Sequence, residues 1–377
     1  MNTTDRLKSH ARDRADHPAI EEGQRTLTYR ELDAAVDNAA ANLQAAEIGV
    51  GDVVAVMLPD NTNHLIILCA LARVGAVLLP FDVAMQPAAV AKRLAPYSAK
   101  AIVQTTPSGA IGGPVPLTVA ALCQPATRSF VAPELGGDHP VALVQSSGTT
   151  GVPKTILRSH TEKQEWVSRI IPIQGWTQDE RCLSLLPICF ATGRNVCLAV
   201  LELGATLVID HPGSCEALVA TINEHRITYL RLTPPFLRPL LDYAADKAPL
   251  FPNLRGIGIG SAPVTASQRR AARESLNPNF IVFYGCNETG CLTTATPADQ
   301  DAHPDAVGRL VPGVEAEILD SDDRPLGFGE VGLIRFRGPG IATGYLEPFS
   351  HVVSNQVHHL PHRLRIRIHI SHRQIQR

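Results

Sequence analysis

The chain has 377 residues, 45% hydrophobic and 19% charged, with 34 basic against 36 acidic residues. That length can bury one large core or two, and the near-neutral balance gives no footing for nucleic acid. No apolar run reaches a membrane span, no apolar signal core opens the chain, and eight scattered cysteines without a Cys-x-x-Cys spacing read as reduced thiols of a cytoplasmic protein.

In chain order, His17–Ile20 and Thr26–Thr28 predict a short hairpin. A helix follows, with Thr28 as N-cap and Glu31 completing a capping box. Val53–Leu58 is a continuous apolar run, as expected of a parallel strand covered on both faces. A helix over Thr62–Val74 ends at Gly75, a strand over Ala76–Leu79 stops at Pro80, and a helix over Pro87–Leu94 precedes a strand over Ala101–Val103. This alternation predicts an α/β sheet. After residue 160 it resumes. Helices are expected over His160–Arg169, Gly193–Leu203 and Cys215–Glu224. Strands are expected over Cys182–Leu186, Ala205–Ile209, Thr228–Leu232, Gly256–Ile259 and Phe280–Phe283. Beyond Gly308 the pattern becomes hairpin-like, Val314–Leu319 and Gly332–Phe336, which predicts a small antiparallel subdomain.

The most specific segment is Val141-Ala-Leu-Val-Gln-Ser-Ser-Gly-Thr-Thr-Gly-Val-Pro-Lys154. A buried strand runs into a loop of hydroxyls and glycines. Gly148 and Gly151 can turn backbone N–H groups inward, and these donors, the hydroxyls of Ser146, Ser147, Thr149 and Thr150, and the Lys154 charge suit a polyphosphate. The competing reading is a Ser/Gly linker. The Walker spacing Gly-x-x-x-x-Gly-Lys-Ser/Thr is absent. A second polar turn ends the strand at Phe280: Tyr284-Gly-Cys-Asn-Glu288. Tyr284 can stack on a base and Glu288 can hold a magnesium ion bridging phosphates; taken alone, they read as a core aromatic and a solvated surface acid, and the pairing with the loop reverses that reading.

Together these segments resemble the adenylate-forming superfamily of acyl-CoA synthetases, peptide-synthetase adenylation domains and luciferases. The loop matches its Ser/Thr-Ser-Gly-Thr-Thr-Gly-x-Pro-Lys signature at every position. Tyr284–Glu288 resembles its Tyr-Gly-x-Thr-Glu motif, with Asn287 in place of the threonine. Gly260-Ser-Ala-Pro263 resembles the loop lying against adenine, and Leu186–Gly193 the segment beside the acyl pocket. Gly308-Arg309, Gly329-Glu330, Gly338-Pro339 and Gly344-Tyr345-Leu346 continue the family order.

The resemblance implies two packed α/β subdomains with mostly parallel sheets, plus a partial antiparallel β subdomain. It implies attack of a carboxylate on the α-phosphate of ATP, giving an acyl-adenylate and pyrophosphate, then transfer to coenzyme A; a carrier protein is the alternative acceptor. Nucleotide contacts would come from Ser146, Ser147, Gly148, Thr149, Thr150, Gly151, Lys154, Ser261, Ala262, Pro263, Tyr284, Gly285, Cys286, Asn287 and Glu288. Lys154 and Glu288 carry the catalytic expectation, and Glu288 with Ser146 the metal. The acid would meet Phe190, Ala191, Gly193, Gly260 and Gly285. Ala191 stands where amino-acid-activating relatives carry an aspartate, so an apolar or aromatic acid is expected rather than an α-amino acid.

Family members continue with a Thr-Gly-Asp segment, a hinge and a small lid domain bearing a lysine; none follows Leu346 in this sequence. Residues 1–348 are therefore expected to be a nucleotide-binding body, impaired in the full reaction or, as a different class of reading, a catalytically dead nucleotide- or acyl-binding remnant. Residues 349–377 are a basic, His-rich tail unlike the rest of the chain, expected to stay mobile or loosely docked. Within it Leu364–Ile370 alternates like a half-buried strand without an identified partner, and a histidine metal site is the competing idea.

Overall fold

The computed structural model describes residues 2–107, 111–145, 154–247, 249–327, 330–342, 345–346 and the backbone of 364–371. It forms two compact units, Met1–Glu165 with Pro187–Ile209 and Ala342–His359, and Trp166–Leu186 with Asp210–Ile341 and Leu360–Arg377.

The chain starts with α1 (Asp5–Asp13), the hairpin β1 (Pro18–Glu22) and β2 (Arg25–Thr28), and α2 (Tyr29–Ala45). The predicted capping box is present, Thr28 accepting from the Glu31 N–H while Glu31 accepts from the Thr28 N–H. Next come β3 (Val53–Met57), α3 (Thr62–Val74), β4 (Val77–Pro80), α4 (Pro87–Leu94), β5 (Ala101–Gln104), β6 (Val115–Thr118), α5 (Val119–Leu122), β7 (Pro140–Gln145), β8 (Thr155–Ser159) and α6 (His160–Gln174). Every residue of α3 except Asn63 is buried, and Gly75 closes it with φ +76°, a left-handed cap that glycine adopts without steric cost. After β9 (Arg181–Ser184), the first unit takes the chain back for α7 (Ala191–Leu203) and β10 (Thr206–Ile209).

Its main sheet has the order β6-β5-β3-β4-β7-β8. The pairs from β6 to β7 are parallel, and β7 and β8 are antiparallel. Strand β8 therefore runs back alongside β7 in the opposite direction. Elsewhere in the unit β1 pairs in parallel with β10 and antiparallel with β2.

The second unit holds β9, α8 (Cys215–Glu224), β11 (Tyr229–Leu232), α9 (Pro234–Ala244), β12 (Gly256–Ile259), α10 (Ala266–Ser275), β13 (Phe280–Cys286), β14 (Gly290–Ala295), α11 (Pro297–Ala302) and β15 (Arg309–Leu310). Strands β9, β11, β12 and β13 run parallel, and β14 and β15 extend the sheet antiparallel. Then come β16 (Glu315–Leu319), β17 (Val331–Arg337), β18 (Tyr345–Leu346, in the first unit, beside β8) and β19 (Leu364–Ser371). The expected antiparallel subdomain is the sheet β16-β17-β19.

One expectation needs correcting. The alternating run of the tail does have a partner: β19 pairs antiparallel with β17, Phe336 opposite Leu364 and Val331 opposite Ser371. A free edge of β17 offers its backbone groups to any strand of suitable period, and chain-distant pairing of this kind leaves no local sign. The other tail residues, together with Gly329 and Gly344, lie outside the described residues.

Candidate active site

In the first unit β7 leads to residues 146–153. Ser146, Ser147, Gly148, Thr149, Thr150 and Gly151 lie outside the described residues. Lys154, on the far side, is exposed, and its ammonium sits 4.9 Å from the centre of the Tyr345 ring. Antiparallel pairing of β18 with β8 holds Tyr345 opposite Ile156. The same ring packs with Ala191, Val144, Ile156 and Ala342 in one apolar cluster. Tyr345, beside Lys154, and Ala191, the first residue of α7, thus pack against the same cluster. Phe190 precedes that helix and is 57% exposed, whereas Gly193 is buried.

The turn carrying Phe190 is held by two groups that sequence reasoning missed. Asp60 Oδ1 accepts from the Ile188 N–H at 2.8 Å. Arg194 Nη1 donates to the carbonyls of Ile188 at 3.1 Å and Cys189 at 3.0 Å. Arg194 is 2% exposed, and burial draws its guanidinium down to about 10. Beside it Lys163 donates to Asn195 Oδ1 at 2.6 Å, and burial pulls this ammonium well below its usual range. For Arg194 the available signal was a charged residue inside the largely apolar α7.

In the second unit two expected segments come together. Strands β12 and β13 are parallel neighbours, Ile259 opposite Val282. Gly260–Pro263, which follows β12, and Tyr284–Glu288, which ends β13 and enters the next turn, are therefore delivered at the same carboxyl edge. Ligands of open α/β sheets collect at such edges. A Cβ at Gly260 would lie 2.9 Å from the Phe283 carbonyl oxygen. Ser261 is exposed with φ +77°, and Ala262 and Pro263 are exposed beside it. A serine in the left-handed region costs on the order of 1–3 kcal/mol, and such residues concentrate at functional sites.

Gly285 approaches the neighbouring strand so closely that a Cβ would fall 1.8 Å from the Gly290 carbonyl oxygen. Cys286 N–H donates to Thr289 Oγ at 3.2 Å, closing the turn that half-buries Asn287 and Glu288. Burial pushes the Cys286 thiol up to about 11, with the neighbouring Glu288 charge adding to the rise. The Tyr284 hydroxyl is buried without a hydrogen-bond partner among the described residues, and burial raises its pKa. No group of three or more metal-ligating side chains occurs among the described residues. Glu288 alone still fits magnesium, which keeps several waters and takes one or two carboxylates plus substrate phosphates.

A family model described as AMP-binding enzyme matches residues 7–346. The chain belongs to this AMP-binding family. It is 30% identical over 372 residues to the salicyl-AMP ligase / salicyl-S-ArCP synthetase of Mycobacterium tuberculosis, covering 88% of this chain and 63% of the relative. It is also 30% identical over 360 residues to 4-coumarate–CoA ligase 3 of Oryza sativa subsp. japonica, covering 87% and 65%. The Klebsiella oxytoca NpsA N-terminal subdomain in complex with 3-hydroxyanthranilyl-AMSN superposes with a TM-score of 0.82 at 25% identity, covering 92% of this chain and 88% of that one. The AMP-binding chain thus spans just under two thirds of these two curated relatives and 32% of a phosphinothricin tripeptide synthetase it also matches. The mixed α/β fold with parallel sheets and a small antiparallel sheet agrees with that subdomain. Among the described residues no helix is long and apolar enough to cross a membrane.

Proposed function

We propose that this AMP-binding chain activates a carboxylic acid. The acid's carboxylate attacks the α-phosphate of ATP, an acyl-adenylate forms, and pyrophosphate leaves. The acyl group then passes to a thiol, coenzyme A or a carrier protein. The observation that carries the reading is the shared edge of β12 and β13, where Gly260–Pro263 and Tyr284–Glu288 stand next to each other. The relatives' names, a salicyl-AMP ligase that is also a salicyl-S-ArCP synthetase and a 4-coumarate–CoA ligase, support both the adenylate and the two kinds of thiol acceptor.

The residues divide the work by charge. The Ser146–Gly151 hydroxyls and N–H groups and the Lys154 ammonium offset the charge that builds on the departing pyrophosphate. Magnesium, when bound by Glu288 and Ser146, supplies Lewis-acid neutralisation of the phosphates. Tyr284 and the Ser261–Pro263 backbone flank the adenine, while Gly285, Cys286 and Asn287 continue that wall. The acid needs only to be aligned for in-line attack. Phe190, Ala191, Gly193, Gly260 and Gly285 leave its body an apolar setting. Ala191 packs in an apolar cluster, which gives an α-ammonium group no carboxylate at that position.

Acid-dependent pyrophosphate–ATP exchange by the purified 377-residue chain tests this. Exchange with simple carboxylic acids exceeding that with α-amino acids is the expected result. Binding of ATP without exchange for any acid supports the remnant reading instead. Absence of both overturns the proposal.

A further inference from the structure

Strand β11 carries a charge where a parallel strand should be apolar. Its residues Tyr229-Leu-Arg-Leu232 alternate, so Tyr229 and Arg231 share one face while Leu230 and Leu232 are buried on the other. On the first face β12 contributes Gly256 and Gly258, Gly260 follows directly after it, and β13 contributes Phe283. Arg231 is paired opposite Gly258. A Cβ added at Gly258 would meet Arg231 Nη1 at 3.0 Å, and one at Gly260 would meet Arg231 Nη2 at 3.2 Å. The guanidinium lies over the Phe283 ring, 3.8 Å from its centre. Gly258 in β12 and Gly260 just after it therefore make the space that the guanidinium occupies, and it extends toward the edge of the proposed site.

Nothing described neutralises this charge. Arg231 Nε is buried without a hydrogen-bond partner, and no carboxylate among the described residues pairs with the side chain. Burial pulls the guanidinium below its usual range. The two groups nearest in charge, Tyr229 and Cys291, cannot serve as counter-ions. Burial raises the tyrosine's pKa and holds the Cys291 thiol at about 11, so both stay neutral. Packing alone does not account for the arrangement, because desolvating a guanidinium costs more than one cation–π contact returns. The planar guanidinium fork, whose Nε has no partner among the described residues, is the geometry that grips a carboxylate in bidentate fashion.

We propose that Arg231 binds a second carboxylate of the substrate, remote from the one that is activated, and makes the enzyme selective for dicarboxylic acids with an apolar or aromatic body. The proposal rests on the acid-activation reading and specifies its substrate class.

The test compares matched acids, benzoate with isophthalate and terephthalate, and hexanoate with adipate. Pyrophosphate exchange is measured in the wild type, Arg231→Met and Arg231→Lys, with ATP–magnesium binding followed by calorimetry. The expected wild-type kcat/KM is at least about tenfold higher for the preferred diacid than for its monoacid. Arg231→Met should lose about a hundredfold on the diacid while changing the monoacid less than threefold, and Arg231→Lys should recover part of the loss. A wild type that treats each pair alike overturns the assignment of Arg231 and leaves acid activation standing, as does a preference that survives in Arg231→Met. If Arg231→Met no longer binds ATP, the wild-type ratio decides by itself. No ATP binding and no exchange in the wild type overturn both readings.

Discussion

Gly258→Ala is expected to destabilise the second unit by a measurable and partly reversible amount. The added methyl would stand 2.6 Å from the Tyr229 hydroxyl, 2.7 Å from Phe283 Cε2 and 3.0 Å from Arg231 Nη1. All three are well inside ordinary contact distance, and they come from the two strands that flank β12, β11 and β13, so no single side chain can swing away. Overpacking of this kind costs about 1–3 kcal/mol; with both flanking strands pinned, the upper part of that range is expected. Tyr229→Phe removes the nearest atom. Its hydroxyl has no hydrogen-bond partner among the described residues, so that change alone should cost less than about 1 kcal/mol. The double variant should recover roughly 1 kcal/mol, the remainder staying with Phe283 and Arg231. Urea titration followed by tryptophan fluorescence suits the measurement, because both tryptophans, Trp166 and Trp176, belong to the second unit, and Trp176 stacks edge-on against Tyr229 with centroids 5.0 Å apart. A Gly258→Ala midpoint within about 0.5 kcal/mol of wild type would falsify the reasoning. So would strict additivity of the two substitutions, since it would mean that Tyr229 and Gly258 do not share this space.

Other outcomes follow from the same geometry. Lys154→Ala should weaken ATP–magnesium binding or slow exchange about ten- to hundredfold, the range for one hydrogen bond to a charged group; unchanged titration and turnover would remove Lys154 from the site. Glu288→Gln should raise the magnesium concentration needed for half-maximal exchange about tenfold or more, by taking away a hard anionic ligand, and an unaltered magnesium curve would count against the metal role. Burial lowers the pKa of His64 to about 4, with neighbouring Arg194 contributing. The folded state therefore keeps this ring neutral while the unfolded chain, near 6.5, takes up a proton. The associated stability is complete above pH 6.5 and is lost as pH falls toward 4, roughly 3 kcal/mol in all. His160, also lowered to about 4 by burial, should add a similar loss. His64→Gln should flatten the fall of stability between pH 6.5 and 4, as read by circular dichroism, and leave the His160 share; an unchanged slope would show that His64 does not titrate this way.

Local patterns were legible wherever neighbours in sequence do the work. The Thr28–Glu31 capping box, the helix from Thr62 to its glycine cap and the apolar strand at Val53 all stand as read. Each depends on residues a few positions apart, so periodicity and capping chemistry reach them without knowledge of the fold. The turn at Tyr284–Glu288 was legible as a polar turn at the end of a buried strand, whereas Ser146–Gly151 lie outside the described residues.

Tertiary structure decided what lies between distant segments. That β8 runs back alongside β7 in the opposite direction, and that the tail's β19 finds the edge of β17, are choices made by backbone pairing across long stretches of chain. Arg231 shows the point most clearly. In sequence it is one arginine in a short apolar run, and nothing local says whether it faces solvent. Only the pairing of β11 with β12, and of β12 with β13, sets it over glycines and against Phe283. Sequence determined which segments become strands and helices. Strand order and register, which depend on burial and hydrogen bonding summed over the whole sheet, determined which side chains meet.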